Sequence, residues 1–292
     1  MKLNVASLFA IPALIWGSTF YVIKYQLGVV DPTWSVSYRF VLAGIFLLLF
    51  AKIRKLNLSF SFAQHQFIFL QGILLFGINY LLVYIAEEKL TSALAAVAFS
   101  TIIFLNILFG TLLLKRTSEK KVFIGAILGV AGTFLLFRND LMSIQFAELP
   151  FFHLGICFLS VVVASLGNIT SAYNQSQSLP VIQTNAFGML YGGLFIGTIA
   201  LISGKPLIFD FSTEYTLSLV YLSVFGSILA FGSYLTLIGK IGADKAAYVL
   251  IIIPVIAVFL SILFEGYVFN AQVILGMALI LGGNFIVIKK KK

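Results

Sequence analysis

Tyrosine, tryptophan, asparagine and serine side chains recur inside long apolar runs of this sequence, at depths where water is scarce. Tyr80 and Tyr84 are four residues apart, so on a helix they lie one turn apart on one face. Polar groups at such depth must find partners inside a helical bundle or line a wet cavity. Aromatic walls with a few hydroxyl and amide groups suit a neutral or zwitterionic metabolite of modest size. The predicted substrate-binding residues are Trp16, Tyr80, Tyr84, Ser100, Asn106, Asn168, Tyr234 and Tyr248.

Hydrogen bonding between helices is the alternative for the serine, threonine and asparagine side chains, and the sequence leaves the two interpretations equally weighted. Such bonds are common in membrane proteins, and each stabilises a bundle by only about 1 kcal/mol. Trp16 lies well inside its apolar run, where the interfacial aromatic belt does not explain it. We therefore expect some of the predicted side chains to bridge helices and the others to line one central cavity.

Ten apolar runs position these side chains, and most approach the ~20 residues that a membrane-spanning helix needs. The sequence is 61% hydrophobic and 10% charged, with a mean hydropathy of +1.08, which is typical of an integral membrane protein. The predicted fold is all-α, with ten transmembrane helices. The runs are 5–23, 33–51, 66–86, 90–114, 122–137, 151–172, 181–203, 215–238, 246–264 and 273–288.

Positive charges are concentrated in alternate connections, which predicts the orientation. Fourteen of the 19 Lys and Arg residues fall in the segments that face the cytoplasm if the N-terminus does. Both termini of this multi-pass protein are therefore expected on the cytoplasmic side of the cell membrane, with the lipid bilayer as a partner. The formal net charge of +9 follows from this pattern, so nucleic acid is not an expected partner.

The two halves of the chain carry similar sequences. Residues 121–134 read KVFIGAILGVAGTF and residues 272–285 read QVILGMALILGGNF, and the two align without a gap. Each half holds five runs, an odd number, so the second half must enter the membrane inverted relative to the first. The sequence thus predicts two inverted five-helix repeats, residues 1–140 and 141–292, with a substrate site between them near the midplane.

Short segments in both halves are similar to one known family. The first half has IWGSTF at 15–20, then RF at 39–40 and AG at 43–44, and the second half has IGADKAAYVLIIIPV at 241–255. Together they resemble the EamA branch of the drug/metabolite transporter superfamily over essentially the whole chain. The resemblance implies a carrier that moves small metabolites, often amino acids, across the bacterial inner membrane, usually outward. It also implies a cavity lined by helices one, three, four, six, eight and nine, with helices five and ten at the periphery.

Arg39 is the charged residue placed furthest from water. It lies about two turns inside the second run, where an unpaired cation costs a few kcal/mol. Snorkelling to the outer headgroups and a substrate role are both compatible with this position. The family resemblance implies a structural anchor, paired with Asp31 or Glu87. Glu87 itself lies at the outer end of its run, where hydration is expected to be cheap.

Pro254 in the ninth run is the predicted gating residue. Proline removes one backbone hydrogen bond, to the carbonyl of Leu250, and weakens the helix locally. The ungapped alignment places Ile103 opposite Pro254, so the first half is expected to lack a matching break. No Asp, Glu or His lies at mid-membrane depth, so we expect alternating access without proton coupling, as a facilitator or exchanger.

Other functions have less support in the sequence. A membrane-embedded lipid-modifying enzyme usually needs clustered carboxylates or histidines at one interface, and the Glu87-Glu88 pair has no partner base. There is no Walker motif, metal-ligand spacing or catalytic triad, so no enzymatic activity, cofactor or metal is expected. Transport of nucleosides or drugs stays open. The Gly-x-x-x-Gly pairs at 125–129 and 188–192 allow a weak homodimer, although packing inside a monomer is their more frequent use.

Overall fold

The computed structural model describes residues 4–90, 95, 98–138, 142, 151–264 and 270–288, and within these residues the fold is helical, with no strand. The helices follow the apolar runs closely. They are α1 Val5–Ile23, α2 Pro32–Ile53, α3 Phe62–Glu87, α4 Ala98–Leu114, α5 Lys120–Leu136, α6 Phe151–Ser176, α7 Val181–Ile202, α8 Thr213–Ile241, α9 Tyr248–Phe264 and α10 Ala271–Ile288.

Five of these helices, α2, α3, α6, α7 and α8, are long and apolar enough to cross a membrane by length and composition. Shorter apolar stretches occur at Val5–Thr19, Ala98–Leu114 and Ala271–Val287. The outer surface is strongly apolar, since Leu112, Phe134 and Leu201 are 64%, 52% and 61% exposed. A soluble protein rarely exposes so much contiguous apolar surface, so the chain is a multi-pass membrane protein whose outer face contacts lipid.

Local sequence signals fix where several helices begin and end. Asp31 caps α2 by accepting a hydrogen bond from the Thr33 backbone N–H at 2.9 Å, and Pro32 occupies the first turn. Ser61 caps α3 through a capping box with Gln64.

Two helix pairs flank the bundle and approach each other closely at glycines. α2 packs on α7, where a Cβ added to Gly44 would lie 2.7 Å from the backbone nitrogen of Leu190. α5 packs on α10, where a Cβ added to Gly132 would lie 2.7 Å from the carbonyl oxygen of Gly276. Only glycine allows such short distances between backbones.

The Gly-x-x-x-Gly pairs also face other helices of the same chain. Gly125 of α5 approaches the carbonyl of Gly283 in α10, and Gly192 of α7 approaches the carbonyl of Gly72 in α3. Both glycines are therefore used in packing within one protomer, the more frequent of the two uses that the sequence allows.

The remaining helices pack in the interior. α1 packs on α8 and α9, and α6 packs on α3 and α4. α3 and α8 each contain a π-helical stretch, Ile73–Ile78 and Leu222–Leu229 respectively. Such stretches widen a helix and occur frequently at functional sites.

The interruption of helical structure lies in α4, whereas the position of Pro254 predicted it in α9. In α4 the helical pattern is interrupted at Thr101, two residues before Ile103, and the Thr101 hydroxyl donates to the Ala98 carbonyl at 2.6 Å. At this point two backbone N–H groups bond carbonyls three residues earlier, Thr101 to Ala98 at 3.1 Å and Phe104 to Thr101 at 3.0 Å, so the first half has a local break near Ile103. In contrast, α9 is helical through Pro254.

Candidate functional site

A cavity of about 90 Å³ lies in the interior of the bundle. Its lining comes from α1, α3, α4, α6, α8 and α9, the same six helices that the family resemblance implies, while α5 and α10 contribute none of it. This volume corresponds to about three water molecules and is well below the roughly 300–1,000 Å³ of ordinary small-molecule sites. The cavity is therefore too small in this conformation to hold a metabolite.

Five of the sixteen residues in the described cavity wall are aromatic. Trp16 meets Phe231 and Tyr234 edge to face, with ring centroids 4.9 and 5.1 Å apart, and Tyr80 meets Phe231 at 5.9 Å. Edge-to-face pairs of this kind are favourable. The indole Nε1 of Trp16 donates to the carbonyl of Gly226 at 3.1 Å. Gly226 lies in the π-helical stretch of α8, so this distortion of the helix positions the tryptophan.

Amide, hydroxyl and backbone carbonyl groups supply the polar character of the cavity. Asn79 donates from Nδ2 to a backbone carbonyl of α6 at 2.8 Å, and Asn168 donates from Nδ2 to the Tyr234 hydroxyl at 3.2 Å. Among the described residues nothing donates to the two amide oxygens. Pro254 has no N–H for the Leu250 carbonyl, and both residues line the cavity. The lining thus offers amide and carbonyl acceptors together with hydroxyl groups that can also donate, which suits a ligand that carries both donors and acceptors.

The structure divides the predicted binding residues into two groups of four. Trp16, Tyr80, Asn168 and Tyr234 line the central cavity, as does the predicted gating residue Pro254.

The other four lie outside this lining. Tyr84 and Ser100 are buried on α3 and α4, Tyr248 donates its hydroxyl to a backbone carbonyl of α5 at 2.7 Å, and Asn106 donates to a backbone carbonyl after α8 at 2.9 Å. Tyr248 and Asn106 therefore bridge helices. For all eight residues, contact with a substrate stays a prediction.

Arg39 is fully buried behind Tyr80. Its Nε donates to the Ser227 hydroxyl at 3.0 Å, its Nη1 reaches the Tyr84 hydroxyl at 3.5 Å, and its guanidinium carbon lies 4.5 Å from the centroid of the Tyr80 ring. This position excludes snorkelling and lies outside the cavity lining. The contacts tie α2 to α3 and to the π-helical stretch of α8.

The carboxylates expected beside Arg39 have other surroundings. Asp31 forms an ion pair with Lys205 at 2.9 Å instead. Burial raises the pKa of Asp31, but hydrogen bonds from Thr33 and Lys205 outweigh it and leave the pKa below its ordinary value. Glu87 forms no ion pair among the described residues, and one of its carboxyl oxygens is buried without a hydrogen-bond partner. Glu87 as a whole is partly exposed, Glu88 and Lys89 beside it are exposed, and Arg39 lies within electrostatic range of its carboxyl group.

A second, wider cavity of about 1130 Å³ opens at one end of the bundle, between the α4–α5 and α8–α9 connections. We call it the inner vestibule, because the charge pattern predicts that this end faces the cytoplasm. Its charged lining residues are Lys115, Arg116, Glu119, Lys121, Lys240, Asp244 and Lys245. Basic residues outnumber acidic ones, so the vestibule attracts solutes that carry a negatively charged group.

Side chains of the two connections bind each other across the vestibule. The Ser118 hydroxyl donates to an Asp244 carboxylate oxygen at 2.7 Å, and Lys245 pairs with Glu119, which also pairs with Lys121 at 3.3 Å. The hydrogen bonds from Lys245 and Lys121 hold the pKa of Glu119 below its ordinary value. Glu119 is therefore ionised at neutral pH. We call these five residues the inner clasp.

The sequence predictions missed part of the cavity wall. Phe99 and Phe231 line the cavity. In the sequence, a phenylalanine inside an apolar run does not show whether its ring faces a cavity or lipid. Spacing carried a signal for Phe231, which lies three residues before Tyr234 and shares its helix face. Asn79 lies beside Tyr80 deep in the third run, so its depth alone would have justified including it.

Comparison with known proteins gives one family. The model of the EamA-like transporter family matches residues 3–138 and again residues 153–289. Protein PagO of Salmonella typhimurium is 26% identical over 274 residues, which cover 93% of this chain and 88% of PagO. The uncharacterized inner membrane transporter YedA of Escherichia coli K12 is 29% identical over 254 residues, which cover 85% of this chain and 78% of YedA.

A protein of known crystal structure has the same fold. It superposes with a TM-score of 0.77 over 97% of this chain and 96% of its own, at 17% identity.

Proposed function

Because this chain belongs to the EamA-like transporter family, we propose that it is a secondary carrier for small metabolites, namely amino acids or related compounds. Transport across the inner membrane proceeds by alternating access, as an exporter or facilitator. The observation that carries this proposal is the central cavity, which lies where helices from both parts of the chain meet. A site between two such parts can open to either face in turn when they move relative to each other.

The substrate class follows from the chemistry of the cavity lining. The described lining contains aromatic, aliphatic and amide side chains and a threonine, and no Asp, Glu, Lys, Arg or His. Transfer of a net charge into such a site is costly, so the substrate carries no net charge. The acceptors at Asn79, Asn168 and Leu250 suit an ammonium group, and the buried cation of Arg39 behind Tyr80 favours a carboxylate on that side. An amino acid zwitterion satisfies both requirements.

The two parts of the chain, residues 1–140 and 141–292, are proposed to be inverted five-helix repeats, giving ten spans. The family model matches each part separately. Each contact between the parts has a counterpart in which the corresponding helices are swapped. α1 packs on α8 and α6 packs on α3; α6 packs on α4 and α1 packs on α9. The π-helical stretches fall in α3 and α8, the third helix of each part. A pseudo-twofold axis in the membrane plane would produce this pattern.

The proposed orientation places both termini and the inner vestibule in the cytoplasm. It is supported by the distribution of the 19 basic residues. Residues 1–3 and 289–292 lie outside the described part of the chain. A monomer or weak homodimer is proposed, since the Gly-x-x-x-Gly pairs already serve packing within one protomer.

Ligand stabilisation of the purified protein tests the proposed substrate class. Amino acids, nucleosides and cationic drugs are screened for an increase in melting temperature, because a ligand present at about 100 times its Kd stabilises a protein by about 2.7 kcal/mol. We expect at least one amino acid to raise the melting temperature, and Phe231→Ala to abolish that increase.

The matched control is Phe158→Ala, which removes a ring that is 51% exposed on the outer face of α6. This variant should keep the full increase. Stabilisation by nucleosides or drugs alone would contradict the substrate class, and turnover of a lipid substrate would favour the lipid-modifying enzyme instead.

A further inference from the structure

Three polar side chains separate the central cavity from the inner vestibule. Asn168 and Tyr234 line the central cavity, whereas Asn106 lines the vestibule. All three are almost completely buried, with 2%, 2% and 1% of their surfaces exposed. They therefore occupy the short interval between the two cavities, and we call them the polar partition.

The polar partition is held together by side-chain contacts from separate helices. Asn168 of α6 donates to the Tyr234 hydroxyl of α8 at 3.2 Å, and the Asn106 side chain of α4 also interacts with that hydroxyl. Asn106 in turn accepts a hydrogen bond from the Ser165 hydroxyl of α6 at 2.7 Å. None of these bonds involves a charged group, and each contributes only modestly to stability. A small change in helix position can therefore break and re-form them.

The polar partition is connected to the inner clasp. Asn106 donates to the Ala243 carbonyl at 2.9 Å, and the adjacent Asp244 accepts from Ser118 of the α4–α5 connection. α4 and the connection that follows it are thus joined to the α8–α9 connection at two levels, by a neutral bond at depth and by charged bonds at the mouth. Movement of α4 away from the α8–α9 connection would release both levels together.

We infer that Asn106, Asn168 and Tyr234 form the inner gate of the carrier, closed in this conformation. Opening the gate joins the 90 Å³ cavity to the 1130 Å³ vestibule. It also frees two amides and a hydroxyl, which can then hydrogen-bond the polar groups of a passing zwitterion. The inference rests on the proposed transport function, but the gate can be tested without any substrate.

Accessibility of a cysteine in the central cavity tests the gate. Cys157→Ser removes the single native cysteine, and Ala164→Cys places a thiol in the cavity lining. A membrane-impermeant thiol reagent is then added to inside-out vesicles, whose outer surface is the cytoplasmic face. In this background, Tyr234→Phe should raise the labelling rate about fivefold, which corresponds to about 1 kcal/mol, the net contribution of one hydrogen bond.

Tyr248→Phe is the matched control. It also removes one buried tyrosine hydroxyl, but that hydroxyl bonds the Val122 carbonyl of α5, away from the partition. Its labelling rate should equal that of the parent. Four results would each overturn the proposed gate. The rate in Tyr234→Phe could equal that of the parent, both variants could rise equally, no labelling could occur, or the rise could appear only in right-side-out vesicles.

Amino acid exchange measured in the same vesicles separates the gate from the proposed function. A labelling rise without exchange of any amino acid supports the gate and refutes the proposed substrate class. Exchange without a labelling rise refutes the gate and leaves the proposed function standing.

Discussion

Replacing Arg39 by alanine should destabilise the bundle more than replacing it by methionine. The alanine variant loses the bond to Ser227, about 1.5–3 kcal/mol for a charged donor, and the contact with the Tyr80 ring, about 2 kcal/mol when desolvated. It also leaves a void where the aliphatic stem was, which costs about 2 kcal/mol more. Both variants also remove a buried cation, whose desolvation costs the parent protein several kcal/mol. This cost is larger because Nη2 of Arg39 has no hydrogen-bond partner among the described residues.

Methionine loses the same polar contacts but keeps most of the stem. The two variants should therefore differ by about 2 kcal/mol in the free energy of unfolding. Melting curves of purified protein check this, with alanine expected about 3 °C below methionine for a chain of 292 residues. Affinity for a stabilising amino acid should change less than stability, because the Tyr80 ring stands between Arg39 and the cavity. An alanine variant that melts like the parent but binds no ligand would refute the anchor role, and equal melting of both variants would refute the packing argument.

Three further predictions concern packing, orientation and coupling. Gly132→Val should strongly reduce the yield of folded protein, because its Cβ would lie 2.7 Å from the Gly276 carbonyl, whereas Gly282→Val has open space around it and should be tolerated; equal yields would contradict the close helix pair. Thr117 is exposed in the α4–α5 connection. After Cys157 is replaced, Thr117→Cys should react with an impermeant thiol reagent only from the cytoplasmic side, and labelling in intact cells would show the opposite orientation. A pH gradient without a substrate gradient should not drive accumulation in proteoliposomes; accumulation that Glu87→Gln abolishes would show proton coupling through this residue.

The sequence predicted the helices and five of the sixteen residues that line the cavity, for physical reasons that differ. Apolar runs locate helices because the hydrocarbon core requires a minimum apolar length. Polar or amphipathic side chains in the middle of an apolar run must face a cavity or another helix. This reasoning assigned four residues to the cavity: Trp16, Tyr80, Asn168 and Tyr234. Phe231 could not be distinguished from a lipid-facing ring by its type, since both surroundings are apolar.

Other features depend on contacts that a linear pattern does not contain. Tyr248 has the depth expected of a cavity residue, but its hydroxyl finds a carbonyl of α5. The interruption of α4 falls at Thr101, but threonine also occurs in unbroken helical stretches of this chain, as at Thr111 and Thr133. The burial of one Glu87 carboxyl oxygen likewise depends on three-dimensional packing.

Counterflow in proteoliposomes tests the central claim, that this chain is an amino acid carrier, most directly. Vesicles preloaded with a high concentration of the unlabelled amino acid that stabilises the protein are diluted into a trace of the same amino acid in labelled form. A carrier with one alternating site should accumulate label transiently above its outside concentration, and Phe231→Ala should not, while Phe158→Ala should. The account would be contradicted if, for every stabilising amino acid, the label inside vesicles with the parent protein never rose above its outside concentration, as in vesicles without protein.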